Sequence, residues 1–275
     1  MRETILSENQ KQYIGLTVLV FILLVLLYRW YCHLMLGQME APVLQYPFTD
    51  DLYWLFVFSD ISSGIVQHKA VAVTFDILLF AMLGVTILLR KWFMYILLFV
   101  FFLTYYILYN LYVTHHSHSL IGPLFMLIPF FFPDSKKFML TFEAVRYYLL
   151  FIFASAAIWK ITRGSVWLDD QMVLTLKSQH ITFMLFNQDS WQYNFILYLL
   201  NNPDILNLLQ IVVVLVQIAF FTGFFTKKYD TQLFLLFILF LVSNYFIMRV
   251  NFFELTIMGV TLLPWAEIFQ RLKIR

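Results

Sequence analysis

Cysteine and charged residues are the two things that this sequence has least of. Cys32 is the only cysteine, which excludes an internal disulfide and a metal cage built from thiolates. Charged residues make up 12% of the chain, about half their share in soluble domains. Because the net charge is only +2 and the charges are scattered, no basic region points to a nucleic-acid partner. No linker or internal repeat is evident either, so we expect a single transmembrane domain over residues 1–275.

Apolar residues instead make up 62% of the chain, which is more than a soluble domain of this length can hide. A membrane-spanning helix needs about 20 mostly apolar residues. Eight segments qualify: 14–36, 70–89, 92–113, 117–133, 142–161, 205–226, 231–248 and 252–269. The sequence therefore predicts an all-α polytopic membrane protein with about eight transmembrane helices in the lipid bilayer. We expect the first segment to remain as a signal anchor, because it is long and lacks a small-residue cleavage site.

Some apolar stretches are less regular. Residues 52–66 and 181–200 are aromatic but interrupted by polar residues, so we interpret them as one or two interfacial or re-entrant helices. Residues 117–133 form a short span that contains Pro123 and Pro129. We expect this span to be bent or shielded by neighbouring helices.

The distribution of lysine and arginine predicts the orientation, because cytoplasmic loops are enriched in both. With a cytoplasmic N-terminus, the inner segments hold 12 of the 18 basic residues: Arg2, Lys11, Arg90, Lys91, Lys136, Lys137, Arg146, Lys227, Lys228, Arg271, Lys273 and Arg275. Every second loop then agrees with the rule. We expect both termini in the cytoplasm and most of the unusual polar residues at the opposite, outer face.

Lys160 is the most conspicuous of these polar residues. It ends the fifth predicted span, after a run of small residues at 154–157 that permits close helix packing. It could be a lysine that extends its ammonium to the membrane surface. However, the orientation rule disfavours a lysine on the outer side. A partly desolvated lysine there could instead serve as a base.

Three histidines lie close together at a predicted outer helix junction. His115, His116 and His118 could bind a metal, orient a substrate or simply be solvated. No acidic residue lies beside them, and successive histidines are poorly placed to surround one ion. We therefore assign no metal.

Arg249 and Glu254 lie near the outer end of the last two spans, and Arg29 lies at the outer end of the first. One interpretation is a substrate-binding role for Arg249 and Glu254. The alternative is pairing of arginine with glutamate between helices.

Other polar residues lie within predicted spans. Asp76 must face the interior of the bundle or be protonated. Gln217 and Asn244 are typical of hydrogen-bonding groups between helices. Aromatic residues make up 20% of the chain. They supply interfacial belts, and some could line a pocket for a flat apolar ligand such as a quinone.

Three segments together resemble one family. They are FIFASAAIWKITRGSVWLDD at 151–170, HHSHSLIG at 115–122 and SNYFIMRVNFF at 243–253. In order and spacing they are similar to the motifs of the vitamin K-dependent gamma-carboxylase-like membrane domain, also called HTTM. The resemblance covers about residues 14–270. Asn251 stands where the family motif has glycine, and the interval from Lys160 to Trp167 is longer than in the animal enzymes.

The resemblance implies a function at the outer face of the membrane. Lys160 would be the base that acts on a reduced quinone such as vitamin K hydroquinone, and His116 would hold or polarise it. His115, His118, Trp167 and Asn244 would contribute to substrate binding. We expect no luminal domain after Arg275, as in the short stand-alone bacterial members that the chain resembles, and therefore a bacterial cytoplasmic membrane protein.

Two alternatives to a carboxylase- or epoxidase-like enzyme stay open. One is a non-enzymatic membrane subunit or a factor for export or maturation of a peptide, with an exported peptide or protein as partner. The other is a small transporter, although transporters usually contain inverted repeats that are not visible here.

Overall fold

The computed structural model of the protein describes residues 6–38, 64–65, 68–112, 121–168, 171–248 and 252–274. In these ranges the chain is helical and contains no strand. The α-helices are α1 Glu8–Tyr31, α2 Lys69–Leu89, α3 Trp92–Tyr112, α4 Ile121–Leu127, α5 Ser135–Thr162, α6 Gln171–Phe186, α7 Trp191–Asn201, α8 Pro203–Ala219, α9 Thr222–Phe225, α10 Asp230–Met248 and α11 Trp265–Leu272. Short 3₁₀ helices cover Leu36–Gln38, Ile128–Phe131, Ser165–Trp167 and Phe253–Leu262.

Six helical segments are long and apolar enough to cross a membrane: Glu8–Gln38, Lys69–Leu89, Trp92–Tyr109, Ser135–Thr162, Pro203–Phe225 and Asp230–Met248. The prediction of an all-α, multi-pass membrane protein in contact with lipid is thereby confirmed in its general form. Two further predicted spans contain shorter apolar helices, Ile121–Phe131 and Phe253–Leu262. The total of eight spans therefore stays a prediction.

The two interrupted stretches differ in how much of them the structure describes. Residues 52–66 lie mostly outside the described ranges. Residues 181–200 contain the end of α6 and most of α7, separated by the turn before Trp191. Ser190 caps α7, because its hydroxyl accepts a hydrogen bond from the backbone N–H of Tyr193 at 3.1 Å. This stretch is thus two helices, and its interfacial position stays a prediction.

The chain divides into two compact units. Unit 1 comprises residues 1–145, 253–260 and 265–275, and unit 2 comprises residues 146–252 and 261–264. In unit 1, a capping box begins α1: the Ser7 hydroxyl accepts from the Gln10 N–H, and the Gln10 side chain accepts from the Ser7 N–H. Further along α1, the Tyr13 ring packs edge-on against Trp265 and Phe269 of α11.

Unit 2 is held together by an aromatic cluster and one buried ion pair. Phe153 of α5 stacks on Phe220, with ring centroids 4.3 Å apart, and meets Phe237 of α10 edge-on. The Arg146 guanidinium donates two hydrogen bonds to the Asp230 carboxylate, at 2.6 and 2.8 Å. Such a bidentate pair fixes the start of α10 against α5. Together these contacts hold α5 against Phe220 and α10.

Candidate functional site

Lys160 lies in the last turn of α5, and its side chain is half-buried. Its Nζ donates a hydrogen bond to Oε1 of Gln217 on α8, at 2.9 Å. It makes no ion pair with any described residue. The ammonium therefore has a neutral amide as its hydrogen-bond acceptor and donor capacity left for a ligand.

A cavity of about 340 Å³ opens beside Lys160 within unit 2. Its polar lining residues are Lys160, Ser165, Gln171, Thr175, Gln210, Ser243 and Asn244. The rest of the lining is leucine, valine, isoleucine, methionine and phenylalanine side chains, Phe240 among them. An apolar cavity with a few convergent polar groups is typical of a small-molecule site.

Hydrogen bonds fix the polar end of this cavity. The Ser165 hydroxyl donates to the backbone carbonyl of Lys160 at 3.1 Å, and Gln210 Nε2 donates to the carbonyl of Ser165 at 2.6 Å. Gln210, Val214 and Gln217 are all buried and share one face of α8. This face therefore holds both the end of α5 and the turn that follows it.

The predicted site residues are only partly brought together. Asn244 on α10 lines the same cavity as Lys160. Trp167 is 72% exposed and does not line this cavity. Four other predicted site residues lie outside the described ranges: His115, His116, His118 and Arg249.

Glu254 belongs to unit 1, where it is buried against Arg29. Arg29 Nη1 and Glu254 Oε1 are 2.8 Å apart. The Arg29 Nε donates to the Tyr105 hydroxyl at 3.1 Å, and its guanidinium lies 4.1 Å from the centroid of the Tyr109 ring. The interpretation of arginine–glutamate pairing is thereby confirmed for this pair. The carboxylate of Glu254 has Arg29 as its charged partner.

Asp76 is also buried in unit 1, in agreement with the expectation that it faces the interior. Its Oδ2 accepts a hydrogen bond from the Gly37 N–H at 2.7 Å. Its Oδ1 has no hydrogen-bond partner among the described residues. The carboxylate thus ties the 3₁₀ turn after α1 to α2.

Two polar residues near the cavity were not singled out from the sequence. His180 of α6 is fully buried, and its Nε2 lies 2.7 Å from the carbonyl oxygen of Ile247 on α10. Gln210 is the other. Its spacing from Gln217 places both amides on one helical face, and that is the signal in the sequence that identifies it. Gln217 was predicted to form a hydrogen bond between helices, and its contact with Lys160 confirms this prediction.

In the described ranges no group of three His, Cys, Asp or Glu side chains could hold a metal ion. Comparisons with protein-family models, with curated proteins and with solved structures find no match to this chain.

Proposed function

We propose that this chain is a multi-pass membrane protein that binds a reduced quinone, such as vitamin K hydroquinone, in the cavity beside Lys160. The observation that carries the proposal is the contrast between this half-buried lysine and the two buried arginines of the described residues. Arg29 and Arg146 each contact a carboxylate, whereas Lys160 contacts a neutral amide and opens into an apolar cavity. Partly buried charges in membrane helices mark functional sites unless they are paired.

The volume and the lining of the cavity support a ligand of this class. The volume of about 340 Å³ lies within the range of small-molecule sites. Apolar walls suit a ring and its aliphatic tail, and Lys160 and Asn244 supply donors for ring oxygens. The resemblance of segments 115–122, 151–170 and 243–253 to the vitamin K-dependent carboxylase-like domain supports the same ligand class.

A hydroquinone bound here would supply an acidic hydroxyl. In this proposal Lys160 acts in its neutral amine form: Nζ accepts the proton of that hydroxyl as a general base and becomes an ammonium beside the hydroquinone anion, while Gln217 holds the nitrogen in position. Asn244 orients the ring oxygen from α10. His116 is proposed as a further orienting group, and His115, His118 and Arg249 as further substrate contacts.

The finer topology belongs to the same proposal. Eight spans, both termini in the cytoplasm and a location in the bacterial cytoplasmic membrane would place the Lys160 end of α5 at the outer face. Chemistry at that face would be open to an exported peptide or protein.

The test is ligand-dependent stabilisation of the purified protein. Adding a short-chain hydroquinone should raise the melting temperature of the wild type, because a ligand at about 100 times its Kd stabilises by about 2.7 kcal/mol. Lys160→Ala should abolish the shift. Lys177→Ala, which removes an exposed lysine of α6 outside the cavity, should leave it intact.

The Lys160→Arg variant distinguishes a general base from a residue that supplies only positive charge. Arginine keeps the charge but does not lose its proton below about pH 12. It should retain folding and membrane insertion yet lose any turnover of the hydroquinone. Absence of a shift in the wild type would instead favour a non-enzymatic subunit or peptide-handling factor.

A further inference from the structure

A second cavity, of about 360 Å³, lies in unit 1 at the connection between α2 and α3. Lys11, Arg90 and Lys91 line it. Tyr95 and Phe130 also contribute, and their rings are stacked with centroids 4.7 Å apart. The cavity thus combines three cationic side chains with an aromatic wall.

The positive charge in this cavity is mostly uncompensated. Lys11 Nζ donates to the backbone carbonyls of Phe132 and Pro133, at 2.9 and 2.8 Å, which are neutral groups. The one carboxylate in the lining, Glu8, lies 4.0 Å from Lys11 and is 61% exposed. In the described part of the chain, Arg90 and Lys91 make no ion pair.

Arg90 holds an unusual backbone conformation at this point. Its φ is 50° and its ψ is 31°, in the left-handed region where helix C-termini usually have glycine. A long cationic side chain is therefore held at a position that is strained for it. Such strain is commonly associated with a functional role of the residue.

The position of the cavity relative to the bilayer follows from its neighbours. Both α2 and α3 contain candidate membrane spans, so their two-residue connection lies at a membrane surface. Trp92 and Phe93 at the start of α3 line the cavity and are half exposed, which is typical of aromatic residues at the level of lipid headgroups.

We propose that this cavity binds the phosphate group of an anionic phospholipid. Basic pockets between membrane helices are suited to anionic headgroups. Arg90 can form a bidentate contact to phosphate, and Lys91 and Lys11 add positive charge. Trp92 and Phe93 would pack beside the glycerol and upper acyl region. The site is independent of the cavity beside Lys160.

The test compares lipids and a matched pair of variants. Purified protein in a neutral detergent is titrated with phosphatidylglycerol or phosphatidylcholine, and the bound lipid is counted by native mass spectrometry. Inorganic phosphate is added in a parallel titration as a competitor of phosphatidylglycerol. The Arg90→Gln/Lys91→Gln double variant removes two cavity cations. Lys136→Gln/Lys137→Gln removes two exposed lysines of the same unit that do not line the cavity.

Phosphatidylglycerol should bind the wild type and the Lys136/Lys137 variant about equally. The Arg90/Lys91 variant should bind it at least tenfold more weakly, since each basic side chain near an anionic surface contributes about fivefold. If inorganic phosphate competes at equal affinity, the cavity binds phosphate from soluble compounds and the lipid assignment fails. Equal binding of phosphatidylcholine, or equal loss in both variants, would overturn the proposal. Lys91→Gln alone provides the same comparison if the double variant does not fold.

Discussion

Lys160 Nζ donates a hydrogen bond to Gln217 Oε1 at 2.9 Å, although the two residues are 57 positions apart in the sequence. This contact joins the end of α5 to the buried face of α8. It also leaves the ammonium without a carboxylate in the described part of the chain. The cavity beside Lys160 therefore contains one lysine nitrogen that has no carboxylate partner among the described residues and can contact a ligand.

A double-mutant cycle should measure this contact. Gln217→Leu removes the acceptor of a half-buried ammonium and should reduce the free energy of unfolding by about 1–3 kcal/mol. The Lys160→Met/Gln217→Leu double variant should cost less than the sum of the single changes, because no polar group is left without a partner.

Chemical denaturation in detergent micelles gives these free energies. Gln232→Leu, at an exposed position of α10, is the control and should be nearly neutral. Strict additivity of the two single changes would show that the hydrogen bond contributes nothing.

Breaking the ion pair between Arg29 and Glu254 should be much more costly. Glu254→Gln leaves the guanidinium buried with its charge uncompensated, which typically costs about 3–5 kcal/mol. The melting temperature in detergent should fall accordingly. The exposed Glu267 of α11 provides the control. If Glu254→Gln and Glu267→Gln melt alike, the pair does not stabilise the fold.

Two glycines of unit 1 should respond oppositely to alanine. At Gly122 an added Cβ would collide with the backbone carbonyl oxygen of Glu254, so Gly122→Ala should destabilise by at least about 1 kcal/mol. At Gly84, in α2, a Cβ meets nothing within 4 Å. Gly84→Ala should therefore be neutral or slightly stabilising, because alanine favours helix. Thermal unfolding of both variants checks this, and a tolerated Gly122→Ala would argue against the close packing at this point.

The proposed orientation can be tested by cysteine labelling after Cys32 is replaced. A cysteine at Ser135, at the start of α5, should be shielded from a membrane-impermeant thiol reagent in intact cells. One at Thr162, at the other end of the same helix, should be labelled. Both should react after permeabilisation. The reverse pattern in intact cells would overturn the orientation and the outer location of the Lys160 cavity.

Long apolar runs were enough to predict six of the helices, because lipid requires the backbone to satisfy its hydrogen bonds within each helix. The segments around Pro123 and Glu254 were harder, since their helices are short and partly of the 3₁₀ type. Run length alone does not decide whether such segments span the bilayer.

For the candidate site, the position of a polar residue within a predicted span was more informative than its residue type. Lys160 and Gln217 stood out because polar groups are costly in a span, and both prove to be interhelical contacts. Glu254 was predicted for the same reason. However, it forms a buried ion pair with Arg29 and does not line the cavity beside Lys160. His180 was missed because its partner is a backbone carbonyl, which leaves no pattern in the sequence.

The most direct test of the central claim is to identify what co-purifies with the protein. Extraction and mass spectrometry of the wild type should find a quinone in near-stoichiometric amount. Lys160→Ala should reduce it at least tenfold, and Val213→Trp should do the same by filling the cavity without touching the lysine. Lys177→Ala should retain it. A quinone content that is the same in all four proteins, or absent from the wild type, would contradict a quinone site at Lys160.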